Sequence, residues 1–311
     1  MKKLMLIFNP NSGKHGMRDS LQDILLLFHE NGWEVTVFPT HKAGDATTYI
    51  LDRYADFDLV VCCGGDGTLN ETITGLMQQP LPPKLGYIPV GTANDLATTL
   101  HLKKNPVEAA KDILENHTFI HDIGRLNDRY FAYIAACGTF SNISYSTPQA
   151  MKRSLGKIAY ILEAVKNISD IRPRHLKVIL DGTVIEDNFV ICAVMNSISF
   201  AGLFRLKEEE ICLHDGVFEV LLIRPPKNPL HVRKMMDQLL HRRYDGDDIT
   251  LYHAREIEVI TENETPWCVD GEMGGSYKEV KIHAEERKMT FCASKSTSEE
   301  TIELYEKPCQ P

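Results

Sequence analysis

The octapeptide Gly64-Gly65-Asp66-Gly67-Thr68-Leu69-Asn70-Glu71 stands between an apolar run and a helical pattern. Glycines at such a junction let the backbone approach a ligand and turn its N–H groups inward. The helix that follows offers phosphate the positive end of its dipole. Thr68 adds a hydroxyl. Asp66 does not suit a loop built for anions alone, but it suits one that receives a nucleotide together with Mg2+. A tight turn accounts for Gly-Gly-Asp-Gly by itself; the extension Thr-x-Asn-Glu goes beyond what a turn needs.

A second segment has the same character: Pro89-Val90-Gly91-Thr92-Ala93-Asn94-Asp95-Leu96-Ala97. Asp95 could simply complement a helix dipole. Two Gly-Thr loops at the ends of neighbouring parallel strands, however, would converge on one nucleotide. A third segment, Asn9-Pro10-Asn11-Ser12-Gly13-Lys14, lacks the Walker A spacing, yet Asn9 and Lys14 could contact phosphates in the same crevice. Thr40 follows the second predicted strand at the same sheet edge. Asp270-Gly271-Glu272 reads, on its local pattern, as a solvated hairpin turn. Lys152, Arg153 and Lys157 flank Leu155-Gly156, either as a solvated helix start or as a basic lip for ATP or anionic head groups.

Positioning these loops requires regular elements. Apolar strand runs at 3–8, 33–38, 58–63 and 84–89 alternate with helical periodicity at 17–30, 44–54, 69–77, 94–100 and 106–115. This alternation predicts a parallel sheet with helices on both faces, binding ligands at the carboxyl ends of its strands. The second half changes to strands at 130–136, 175–180, 189–195, 218–223, 257–261, 279–283 and 289–292, with helices at 155–168 and 230–240. That pattern predicts a mostly antiparallel β-sandwich. The expected division is an α/β nucleotide-binding domain over 1–125, a β-sandwich substrate domain over 126–294 and a polar tail over 295–311.

Composition narrows the functional classes. A chain of 311 residues suits two domains, and a net charge of −9 does not suit general attraction to nucleic acid or anionic membrane. No run approaches the ~20 apolar residues of a membrane span, and no secretory leader is legible at residues 1–10. The eight cysteines form no CxxC pair and fall mostly in apolar runs, so free buried thiols in a reducing compartment are expected.

Taken together, the loops resemble the diacylglycerol kinase catalytic family, in particular bacterial lipid kinases of the diacylglycerol kinase and YegS type. The likeness runs from Asn9 to about Cys292 and includes Val269-Asp270-Gly271-Glu272, similar to the family's segment bearing the catalytic base. The resemblance implies ATP bound by Gly64, Gly65, Asp66, Gly67, Thr68, Leu69 and Asn70, with Thr40 and Thr92 as further contacts. It implies Glu272 as general base towards a lipid hydroxyl, and Asp66 with Asp95 organising Mg2+ largely through water. It also implies a second Mg2+ site in the β half, held by the Asp215 carboxylate and the carbonyls of Cys212 and Val217. His214 stands where many relatives carry a second acid. The expected setting is the cytoplasm, with visits to the inner face of the membrane to reach a lipid alcohol. No motif reports which alcohol, and a homodimer through an exposed β edge is left open. Two alternatives share the glycine loop: an NAD kinase-like phosphotransferase and a non-catalytic nucleotide-binding regulator.

Overall fold

The structure is a computed structural model that describes residues 2–12, 16–138, 172–200, 204–206, 211–286 and 288–296. The predicted helix at 155–168, the basic residues Lys152, Arg153 and Lys157, Lys14 and most of the tail lie outside the described residues.

The first 121 residues follow the expected alternation: β1 (Lys2–Phe8), α1 (Gly16–Glu30), β2 (Trp33–Pro39), α2 (Asp45–Arg53), β3 (Leu59–Gly64), α3 (Asp66–Met77), β4 (Lys84–Pro89), α4 (Asp95–Thr99), α5 (Pro106–Glu115) and β5 (His117–His121). Helix α5 shows why this reading works. Pro106 opens it with a preset φ, the Asn105 side chain accepts from the N–H groups of Val107 and Glu108, and Asn116 closes it in the left-handed region.

β1 to β4 pair in parallel in the order β2-β1-β3-β4. The chain leaves β1 towards β2 on one side and β3 on the other, so a topological switch point lies at the carboxyl ends of β1 and β3. Residues 59–64 are buried throughout, as a central parallel strand with both faces covered must be.

The second region comprises β6 (Gly124–Leu126), β7 (Arg129–Phe131), β8 (Ile134–Gly138), β9 (Arg174–Leu180), β10 (Thr183–Phe189), β11 (Ile191–Met195), β12 (Ser199–Phe200), β13 (Phe204–Arg205), β14 (Phe218–Ile223), α6 (Pro229–Leu240), β15 (Ile249–Ala254), β16 (Ile257–Val269), β17 (Glu272–Ala284) and β18 (Met289–Ala293). Ten of these strands form one antiparallel sheet. It folds on itself through β16, which pairs with β9 over 257–261 and with β8 over 267–269, with register irregularities between. Trp267, Phe131, Phe189 and Phe218 fill the space enclosed. This is the expected sandwich, built from a single sheet.

Three expectations shift. The predicted strand 130–136 is two strands, broken at Ala132 and Tyr133, whose N–H groups leave the ladder for a carboxylate. The helix expected from 69 begins at Asp66. Residues 289–292, placed with the sandwich, form β18 in the first sheet, parallel to β4 and antiparallel to β5. β18 is apolar and nearly all buried, which suits an interior strand of a covered sheet.

Candidate active site

The loops after β1, β2, β3 and β4 meet at the switch point. Val90 N donates to the Gly64 carbonyl at 2.9 Å, which ties the β4 loop to the β3 loop. Gly65 and Gly91 then touch backbone to backbone: a Cβ on Gly91 would stand 2.6 Å from the Gly65 Cα. No other residue type fits there, because the clash would be with the Gly65 main chain as well as with Asn94 Oδ1. The two Gly-Thr loops thus converge. Asn9 Nδ2 donates to Thr68 Oγ1 at 3.0 Å, bringing in the β1 loop, and Thr40 N donates to the Phe8 carbonyl at 2.9 Å, bringing in β2.

Asp66 starts α3, where its charge complements the helix N-terminus. Asn94, in the left-handed region at φ 51°, donates its N–H to Asp66 Oδ2 at 2.8 Å. Asn94 also donates from its side chain to the Gly91 carbonyl at 3.0 Å. Asp66 Oδ1 is buried without a hydrogen-bond partner. Burial, with repulsion from the neighbouring Asp95 carboxylate, pushes Asp66 up to about 7. Two buried carboxylates with an orphaned oxygen fit a hard divalent cation such as Mg2+, which would supply the missing partner.

Glu272 reaches this place from the other sheet. Val269 and Glu272 pair across the β16–β17 hairpin, which turns on Asp270-Gly271, both with positive φ. The Glu272 carboxylate lies against the first turn of α3: a Cβ on Gly67 would be 3.0 Å from Glu272 Oε1. Gly67 is therefore the gap that admits the Glu272 carboxylate. Partial desolvation against α3 and the nearby Glu71 carboxylate raise the Glu272 pKa, although the residue as a whole is exposed. Met273, next in sequence, is 65% exposed.

Gly271 and Glu272 are exposed, as the local pattern suggests, but Asp270 is not. Asp270 is 2% exposed. Its carboxylate accepts the N–H groups of Ala132 (2.7 Å), Tyr133 (3.0 Å) and Ile134 (3.1 Å), and Asn70 Nδ2 at 2.8 Å. Asn70 also donates to the Tyr130 carbonyl. Its amide nitrogen is thus committed to the hairpin and fastens α3 to the sandwich, rather than facing the crevice. Asp270 is the residue whose structural part sequence reasoning missed; Asp-Gly signalled a turn but not its burial.

Among the other candidates, Leu69 points into the core at 1% exposure, while Thr92 is exposed at the mouth. Cys212, Asp215 and Val217 sit apart, beside Asp122, Arg255 and Lys288. The loop's contacts run to its own backbone and to two cations. Asp215 Oδ1 accepts Val217 N at 2.9 Å, its carbonyl accepts Arg255 Nη1 at 2.7 Å, and the Lys288 ammonium donates to the His214 carbonyl. No group of three or more His, Cys, Asp or Glu arranged for a metal occurs among the described residues.

Residues 3–126 match the diacylglycerol kinase catalytic domain family, and 138–285 match the YegS C-terminal NAD kinase beta sandwich-like domain. Curated diacylglycerol kinases of Staphylococcus aureus are 30% identical over 97% of this chain and 96% of theirs. A crystal structure of a diacylglycerol kinase from Bacillus anthracis superposes with a TM-score of 0.78 at 26% identity, covering 95% of this chain and 98% of that one. An ATP complex of an NAD kinase from Archaeoglobus fulgidus, 14% identical with a TM-score of 0.52 and 99% of each chain covered, shares the fold. The chain belongs to the diacylglycerol kinase catalytic family and is a kinase.

Proposed function

We propose that this kinase transfers the γ-phosphate of ATP to the hydroxyl of a lipid alcohol such as diacylglycerol, at a membrane surface. The observation that carries the reading is the position of Glu272. A carboxylate with a raised pKa faces the first turn of α3, beside two glycine loops in backbone contact.

The nucleotide phosphates would lie over the N-terminus of α3, against the Gly64–Thr68 and Gly91–Thr92 loops. Asp66 and Asp95 would hold Mg2+, which supplies charge neutralisation on the phosphates. Glu272 takes the proton from the acceptor hydroxyl as that oxygen bonds to the γ-phosphorus and the bond to the ADP oxygen breaks. Asp270 and Asn70 keep Glu272 at the helix terminus through the short hairpin. A carboxyl with a raised pKa suits this task better than an ordinary glutamate. Among the described residues no helix is long and apolar enough to cross a membrane, so the lipid would be met at the interface, where exposed Met273 adjoins the base.

The names of the curated relatives favour a lipid acceptor; the shared fold with an NAD kinase gives the competing reading. Purified protein with Mg2+ and γ-labelled ATP, offered diacylglycerol, other lipid alcohols and NAD, separates them. Labelled lipid is expected. Labelled NADP would replace the reading, and bound ATP without transfer to any acceptor would indicate a regulator.

A further inference from the structure

Tyr133 lies between β7 and β8, at the break from which Asp270 takes its N–H groups. Its N–H donates to Asp270 Oδ1 at 3.0 Å, and its carbonyl accepts Asn196 N at 3.0 Å, so the backbone is held from both sides. The side chain is 4% exposed and packs in the apolar cluster that the two sheets share. Its hydroxyl ends at the hairpin that carries Glu272: a Cβ on Gly271 would stand 3.4 Å from Tyr133 Oη. The carboxylates that act on the phenol are those of Asp66, Asp270 and Asp95, in falling order. The oxygen thus stands between the turn before Glu272 and the two carboxylates assigned to Mg2+.

Among the described residues this hydroxyl has no hydrogen-bond partner, although the ring is buried. A hydroxyl taken from water without a partner is unfavourable, so one fixed by packing marks a position that something else completes. Tyr87, also buried beside Asp66, differs: its hydroxyl lies 3.4 Å from Asn94 Oδ1. The neighbouring amides are likewise engaged, Asn9 on Thr68, Asn94 on Gly91 and Asn70 on the hairpin. A phenol keeps its proton at neutral pH; here burial, then the three carboxylates, push it higher still. Among so many carboxylates, a neutral O–H gives an incoming phosphate a hydrogen bond without charge repulsion. We propose that Tyr133 is a further catalytic residue, donating its O–H to a non-bridging oxygen of the γ-phosphoryl group. That group must pass between Glu272 and the Mg2+ carboxylates, which is where Tyr133 Oη stands. The phenol keeps its proton throughout; the bonds made and broken are those at phosphorus. This role rests on the ATP-dependent reading of the site given above.

The test is Tyr133→Phe, which removes the oxygen and keeps the ring. Its kcat/KM for ATP should fall about 10–100-fold, the worth of one hydrogen bond to a charged group. Affinity for ADP with Mg2+ should stay as in the parent, since ADP has no γ-phosphoryl group. The midpoint of thermal unfolding should stay level or rise, because the free protein loses no hydrogen bond. A kcat/KM within about threefold of the parent overturns the proposal. So does an ADP affinity that falls as far as that for ATP, which would put the hydroxyl on the other phosphates or the cation. A midpoint several degrees lower also counts against it, because the ring's packing would then explain the lost rate. Should the parent transfer phosphate to no acceptor, the functional reading fails by itself and calorimetric titration decides this role. ATP affinity weakened about tenfold with ADP unchanged supports it, and no change for either nucleotide overturns it.

Discussion

Two hairpins in this molecule turn on the same dipeptide. Asp181-Gly182 joins β9 to β10, and Asp270-Gly271 joins β16 to β17. The backbones agree closely, with φ of 46° and 87° in one and 47° and 83° in the other. Both pairs suit the primed turns that match strand twist. Their surroundings differ. Asp181 is exposed and accepts the N–H groups of Arg255 and Glu256 at the adjacent turn. Asp270 is buried under three successive N–H groups and the Asn70 amide, and the residue after its turn faces the glycine loops. One motif thus serves as an ordinary chain reversal in one place and as the mount of a proposed catalytic base in the other.

The comparison is broken most sharply at the residue following each turn. Glu272→Gln should lower kcat about 10²–10⁴-fold, the usual contribution of a general base, while Thr183→Ala should leave it unchanged. A loss under tenfold would move the base elsewhere. In the parent, kcat/KM should fall as pH is lowered, because a protonated Glu272 cannot accept the hydroxyl proton. The midpoint of that fall should lie above the ordinary glutamate range, since partial desolvation and Glu71 raise this carboxyl. The Gln variant's residual rate should lose that limb.

Next come the aspartates themselves. Asp270→Ala leaves three buried N–H groups without an acceptor and should cost about 2–4 kcal/mol in denaturant unfolding. Asp181→Ala should cost under about 1 kcal/mol, since water reaches its donors. Similar losses at both sites would remove the distinction drawn here. Asn70→Ala should couple to Asp270→Ala by about 0.5–3 kcal/mol in a double-mutant cycle; simple additivity would mean that the contact does not fasten α3 to the sandwich. The smallest contrast should be at the glycines. Gly182→Ala and Gly271→Ala should each cost about 1 kcal/mol, because the left-handed φ penalty is local and the same in both turns.

Legibility in the sequence followed the same line. β4 and α5 occupy the residues expected of them, because apolar runs, Pro106 and the Asn105 cap act within a few positions. The strands β5, β10 and β15 went unread. β10, with the sequence Thr-Val-Ile-Glu-Asp-Asn-Phe, is mostly exposed or half-exposed and has no apolar run to announce it. β18 was recognised as a strand but assigned to the wrong sheet, since an apolar pentapeptide does not say which sheet will bury it.

By itself the sequence determined the backbone of the phosphate-facing loops and of both Asp-Gly turns, since φ, ψ and helix termini depend on the residues present and their near neighbours. Tertiary structure decided which turn mattered. Asp270 meets Ala132 across 138 positions and Asn70 across 200. Burial of a carboxylate depends on donors that distance in the chain keeps out of any local pattern, and it is that burial which holds Glu272 against Gly67.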